Sequence, residues 1–182
     1  MSTLRIRPAI SSDISRLVTI DHSCSSDYVW QLDLGREQGQ VSVLLREVRL
    51  PRAVRVPYPR DVYALPDEWK RQSEILVADL GGHPVGYARF QARNGASMLW
   101  LLDLVVAPAQ RRHGVGSKLL AAVEFWALEH SIRRLVVEFS SKALPAIRLA
   151  QKMGYEFCGY NDNYYATGDV ALFFGRTLRE AR

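Results

Sequence analysis

Cysteine is scarce in this chain: Cys24 and Cys158 are the only two, far apart, with no CxxC spacing and no pair of histidines beside them. That argues against both a disulfide framework and a zinc site, so two free thiols in or near a core are expected, and no metal. Long apolar runs are missing as well. Stretches such as Met98 to Val106 are far too short to span a bilayer, and residues 1–10 lack the basic-then-apolar order of a secretory signal. No membrane partner is expected, and the cytoplasm is the expected compartment. Repeats, low-complexity tracts and Gly/Ser linkers are also lacking, so residues 1–182 read as a single domain.

The charge is unevenly placed. Eight basic residues face three acidic ones between Ala109 and Lys152, and that segment accounts for the whole net charge of +5. A local positive field of this kind concentrates an anionic partner: a nucleotide cofactor, a nucleic acid or a membrane surface.

Periodicity supplies the elements. Leu4 and Ile6, alternating with Arg5 and Arg7, make a short strand before Pro8. Ser11 or Ser12 then caps a helix through about His22, with Ile14, Leu17 and Val18 on one face. Ser23 to Ser73 is harder to read. Val41, Val43, Leu45 and Val48 suggest a strand, and Pro51, Pro57, Pro59 and Pro66 break the rest into long loops. Ile75 to Leu80, Gly81-Gly82 and Val85 to Ala92 form a hairpin, and Asn94-Gly95 turns the chain into Met98 to Val106, a central strand. A helix from Gly114 to about His130 leads to the strand Leu135 to Phe139. A connection of that length implies a right-handed crossover and a parallel pair. A helix from Leu144 to Lys152 and strands Tyr155 to Asp162 and Val170 to Thr177 complete a mixed α/β fold.

The most informative segment is Pro108-Ala109-Gln110-Arg111-Arg112-His113-Gly114-Val115-Gly116-Ser117, between a buried strand and the first turn of a helix. Such a turn has unpartnered N–H groups and the positive end of the helix dipole, and glycines there admit a phosphate close to the backbone. A nucleoside-triphosphate loop would need Gly-Lys-Ser/Thr, but the chain reads Gly116-Ser117-Lys118. A dinucleotide fingerprint would need a glycine where Leu119 stands. The spacing Arg/Gln-x-x-Gly-x-Gly after a strand ending Val-x-Pro instead resembles the coenzyme A pyrophosphate loop of the GNAT superfamily of N-acetyltransferases. Ile6-Arg7-Pro8-Ala9 with Asp13-Ile14, and Pro145-Ala146 with Met153-Gly154-Tyr155, extend the resemblance over most of the chain. The closing Tyr164-Tyr165 and Asp169 to Phe174 are similar to the ribosomal-protein N-terminal and streptothricin acetyltransferases.

The resemblance implies a mostly antiparallel α/β sheet with a central parallel strand pair and flanking helices. It also implies acetyl-CoA as cosubstrate and transfer of its acetyl group to a primary amine of a small molecule or peptide N-terminus. The backbone of Leu104, Val105 and Val106 would face the pantetheine, and Arg111, Arg112, His113, Gly114, Val115, Gly116 and Ser117 would hold the pyrophosphate. Two positions depart from the family pattern: Ala143 stands where Asn is frequent, and Ala150 where a thiolate-protonating Tyr is frequent. A catalytically silent acyl-CoA-binding sensor or interaction module is the alternative. Nucleic acid is not expected as a partner, and a homodimer is compatible with the family.

Amide formation from a thioester needs a neutral amine, a stabilised oxyanion and a proton for the thiolate. Asp103 and Glu138 interrupt otherwise apolar strands and are the candidate catalytic bases, with structural ion pairing as the other reading of each. A bulge near Val105 or Val106 would free an N–H for the oxyanion. Tyr160, Tyr164 and Tyr165 are candidate acids or packing residues, and water can serve in their place. His113 is placed to position phosphate, whereas His22, His83 and His130 read as surface or turn residues. The acceptor pocket is expected from Ser23 to Ser73, with Tyr28, Trp30, Tyr58, Tyr63 and Trp69. Charges there nearly balance, and no acidic trough is evident.

Overall fold

The computed structural model describes residues 3–71, 73–92 and 98–179, so the expected Asn94-Gly95 turn lies outside the described residues. The elements run in chain order as β1 (Leu4–Pro8), α1 (Ser11–Val18), β2 (Cys24–Glu37), β3 (Gln40–Val56), α2 (Leu65–Lys70), β4 (Glu74–Leu80) and β5 (His83–Ala92). They continue as β6 (Met98–Val106), α3 (Val115–Glu129), β7 (Arg134–Ser140), α4 (Leu144–Lys152), β8 (Glu156–Asn161) and β9 (Ala171–Thr177). Seven strands form one sheet in the order β1-β4-β5-β6-β7-β9-β8. Only β6 and β7 pair in parallel, joined through α3, and the remaining pairs of this sheet are antiparallel. The expected mixed fold is what the structure shows.

Each face of the sheet carries its own core. On one face, Leu119, Leu120, Val123 and Ala127 of α3 and Ile147 and Ala150 of α4 pack on Leu99, Leu101, Leu135 and Val137. On the other, Ile14 and Leu17 of α1 and Leu65 of α2 cover Ile75, Val77, Tyr87 and Val105. Helix α1 is anchored at its start by Asp13, whose carboxylate accepts the Ile10 N–H at 2.9 Å and two hydrogen bonds from Arg7. It ends at Val18, earlier than the expected His22.

The segment Ser23 to Ser73 departs most from the sequence reading. In place of long loops it holds a separate two-stranded sheet, β2 paired with β3 from Cys24↔Val56 out to Glu37↔Gln40. Pro51 lies within β3, which edge strands tolerate because the outward N–H has no ladder partner to lose. The turn is Gln38-Gly39, where Gly39 adopts φ +76°, a conformation glycine reaches without steric cost. The middle of this hairpin is tied to the rest of the fold: Trp30 N–H donates to the carbonyl of Ser141, just after β7, at 2.9 Å, and Arg148 of α4 donates to Glu47, the partner of Trp30, at 2.7 Å. Among the described residues no helix is long and apolar enough to cross a membrane.

Candidate active site

A single extra residue in β6 sets the site. Arg89 pairs with Asp103 and the next residue, Phe90, pairs with Leu101, so Leu102 is bulged out of the β5–β6 ladder. Strict alternation would put Asp103 on the same face as Leu99 and Leu101, inside the α3-side core. The bulge reverses the phase, so Asp103 and Val105 face α1, while Leu104 and Val106 turn toward α3. The expected bulge near Val105 or Val106 is thus corrected to Leu102. The backbone from Leu104 to Val106 has no partner strand on the β7 side for another reason: β6 pairs with β7 only from Met98↔Arg134 to Leu101↔Val137, after which the two strands part.

The gap is crossed by Arg60, contributed by the segment after β3. Its Nη1 donates to the Leu102 carbonyl at 2.7 Å and to Asp103 at 3.1 Å, and its Nη2 closes on Glu138. Asp103 and Glu138, on neighbouring strands, are thereby joined through one guanidinium. Asp103 also accepts from Arg89 Nε and from the Tyr58 hydroxyl, and Glu138 accepts from Tyr164 and Tyr165, each at 3.1 Å. Both carboxylates are buried, at 5% and 3% exposure, so this pairing is required to keep the charges in a low-dielectric interior. The ion-paired reading of each is therefore present in the geometry, and proton transfer at Asp103 must work within it.

Above this network lies a cavity of about 490 Å³ lined by Tyr58, Arg60, Arg89, Asp103 and Tyr165, with Asp61 and Glu68 also on its wall. Of the aromatics expected to form the acceptor pocket, Tyr58 alone lines it. Tyr63 is 77% exposed, Trp69 packs under α1 with Ile14 and Leu17, and Tyr28 and Trp30 belong to the middle of the β2–β3 hairpin. The cavity's acids outnumber its arginines because Asp103 arrives from β6, outside the segment expected to build the pocket. Burial and the adjacent Asp103 push the Tyr58 hydroxyl well above its usual range, and burial does the same for Tyr165, so both remain protonated donors.

Beyond β6, residues 108–110 form one 3-10 turn and the chain enters α3 through Gly114, φ +80°. The first intrahelical bond runs from Lys118 N–H to the Gly114 carbonyl at 3.0 Å. The N–H groups of Val115, Gly116 and Ser117 therefore project beyond the helix start, an anion-binding arrangement. A Cβ on Gly116 would stand 3.0 Å from Leu149 of α4 and 3.9 Å from Val106, so β6, α3 and α4 converge there. Arg112, with φ +67°, His113 and Gly114 are exposed, while the Val115 side chain is buried and offers only its backbone. Arg111 folds back, donating to the Val106 carbonyl and the Asp21 carbonyl at 2.8 Å each; it braces the loop against β6 and the end of α1.

Three further positions settle in the structure. Ala150 is fully buried on the inner face of α4, and Ala143 forms the entry to that helix. His22 is no surface residue. It lies against Tyr58 and Tyr87, and burial lowers its pKa from the usual 6.5, favouring the neutral ring. The sequence signal for it was weak, a lone histidine past a helix end.

A parallel pair that parts above a glycine-entered helix, beside a cavity floored by a buried carboxylate, defines an acyl-transfer fold with an anion-binding loop. Residues 44–155 match the model of the Acetyltransferase (GNAT) family, and the chain belongs to that family. It is an acetyltransferase. A streptothricin acetyltransferase from Streptomyces lavendulae is 25% identical, with 94% of each chain covered. Among solved structures, a nourseothricin acetyltransferase shares the fold with a TM-score of 0.81 at 24% identity, covering 97% of this chain and 99% of that one. A proposed streptothricin acetyltransferase from Bacillus anthracis str. Ames, in complex with acetyl coenzyme A, does so with a TM-score of 0.74 at 21% identity, covering 96% and 99%.

Proposed function

We propose that the chain transfers the acetyl group of acetyl-CoA to a primary amine of a small cationic molecule, streptothricin-type antibiotics included. The observation that carries this reading is the position of Asp103. It lines the cavity immediately before Leu104 to Val106, where β6 has left its pairing with β7. The surplus of carboxylates on the cavity wall favours a cationic acceptor, and the full-length relative is named for acetylating streptothricin.

In this proposal the first turn of α3 holds the pyrophosphate through the N–H groups of Val115, Gly116 and Ser117, with Arg112 and His113 at the rim. The edge of Leu104, Val105 and Val106 lies along the pantetheine and offers an N–H to the carbonyl oxygen. Asp103 orients the ammonium and takes its proton, and Glu138 holds Arg60 in place. As the C–N bond forms and the C–S bond breaks, the second proton of the nitrogen passes through water to the departing thiolate. Tyr164 and Tyr165 direct their hydroxyls to Glu138, and Ala150 has none.

The test is a screen of acetyl-CoA against streptothricin, polyamines, lysine-type diamines and peptide N-termini, read by thiol release and by mass gain of the amine. Turnover with cationic small amines is the expected result. Ala150 favours a rival reading, a silent acyl-CoA-binding module, which predicts coenzyme binding with no thiol release from any amine.

A further inference from the structure

Arg111 stands in the coenzyme loop, yet both of its hydrogen bonds lead away from the helix start. Its Nε donates to the Val106 carbonyl and its Nη2 to the Asp21 carbonyl, at 2.8 Å each. Nε and Nη2 make up one forked edge of the guanidinium, the geometry that can clasp a phosphate through two parallel bonds. Here that edge spans two backbone carbonyls instead, one at the end of β6 and one just beyond α1, 90 residues away in the chain.

The Asp21 end leads to the proposed acceptor cavity. His22 follows it, and its ring lies 5.0 Å from that of Tyr58, centroid to centroid, while Tyr58 gives its hydroxyl to Asp103. A second path runs through the backbone. Cys24 opens β2 opposite Val56, and β3 passes from there into Pro57-Tyr58-Pro59-Arg60. Both prolines have a fixed φ, so a shift at Val56 carries on to Tyr58 and Arg60, the side chains of this segment that hold Asp103. A second cavity of about 420 Å³, bordered by Asp21, His22, Ser23 and Tyr58, lies beside these contacts, so a released His22 has space to leave Tyr58.

We propose that Arg111 is a positioning residue for the acceptor side: it fixes Asp21, and thereby sets His22 against Tyr58 and the Tyr58 hydroxyl on Asp103. It rests on the amine-acetylation reading above for the role of Asp103. The N–H groups of Val115, Gly116 and Ser117 take the phosphates without this edge of Arg111. Both of its bonds have a charged donor, which makes them stronger than neutral ones, and turning the guanidinium to a phosphate would strip a donor from two carbonyls at once.

Two variants separate this role from a phosphate contact, assayed with the panel amine that wild type acetylates fastest. In Arg111→Met, kcat/KM for the amine should fall roughly 100-fold, the size of loss that a misplaced catalytic group brings. Acetyl-CoA affinity by calorimetry should stay within about threefold of wild type, with the same salt dependence, because a screened loop charge adds little. Arg111→Lys keeps the charge, but one ammonium cannot span both carbonyls, so it should lose at least about tenfold in the same kcat/KM. NMR reads the link without turnover. The ring-proton signal of His22, identified by its disappearance in His22→Gln, carries the ring currents of Tyr58 and Tyr87 in wild type, and should move to the position of a free histidine in Arg111→Met.

Wild-type kcat/KM in either variant, or an unmoved His22 signal, overturns the proposal. So does a loss of about tenfold or more in acetyl-CoA affinity with a shallower salt dependence, which makes Arg111 a phosphate ligand. If Arg111→Met does not fold, Arg111→Lys decides by its kinetics and its His22 signal. Wild type that releases no thiol with any amine overturns the amine reading itself, and the His22 signal then still decides the Arg111 link.

Discussion

The guanidinium of Arg60 closes on the carboxylate of Glu138 across the gap where β6 and β7 part. It holds Asp103 with its other nitrogen, so one side chain bridges two buried acids from adjacent strands, and Arg89 supplies the second positive charge at Asp103. Arg60→Met would leave the buried Glu138 carboxylate without its cation and held by the Tyr164 and Tyr165 hydroxyls. The expected cost is about 3 to 5 kcal/mol, read as a lowered urea midpoint with unchanged slope.

Asp103→Asn tests the proposed base. The amide keeps the shape and can still accept from Tyr58, but it cannot take a proton. Turnover should fall by roughly 100-fold or more, while acetyl-CoA affinity measured by calorimetry stays within about twofold. Normal turnover would remove Asp103 from the chemistry.

The entry to α3 can be probed by two glycines for different reasons. At Gly114 there is open space but φ is +80°, so Gly114→Val pays backbone strain of about 1 to 3 kcal/mol without a clash. At Gly116 the obstacle is Leu149, 3.0 Å from the added Cβ, and Gly116→Val thrusts a side chain among β6, α3 and α4. Acetyl-CoA affinity should drop at least about tenfold in Gly116→Val, an estimate based on close backbone approach to phosphate. Unchanged affinity in both variants would contradict the loop assignment.

Arg7 links stability to acid. It donates to Asp13 at 2.6 Å and to Asp79 at 2.8 Å, and both carboxyls are held below their usual range, Arg7 being the largest cause for each. A carboxyl whose folded pKa is depressed contributes stability above its unfolded value, about 4, and that contribution disappears as pH falls through the folded value. Arg7→Met should therefore move the acid-unfolding midpoint to higher pH. The loss at neutral pH should be roughly 1 to 2 kcal/mol, reduced by the partial exposure of Arg7.

Much of the architecture was legible in the residues. The glycine-spaced loop before α3, the strand–helix–strand unit and the Gly81-Gly82 hairpin all have local causes: φ freedom, apolar period and connection length. The β2–β3 hairpin was not, because its turn is Gln38-Gly39 without the Asn or Asp that marks such turns, and its prolines read as breaks. His22 was also hidden, since nothing in its neighbours along the chain reveals that Tyr58 and Tyr87 enclose it.

Local chemistry, written in consecutive residues, sufficed to specify an anion-binding helix start behind a buried strand. The facing of Asp103 was beyond it. That facing depends on Leu102 slipping out of the ladder opposite Arg89, a register choice made between strands, and it takes Arg60, Arg89 and Tyr58, distant in the chain, to make a charge at that place tolerable. Pairing energies between remote segments, which no window of sequence contains, put the carboxylate in the cavity and kept it out of the core.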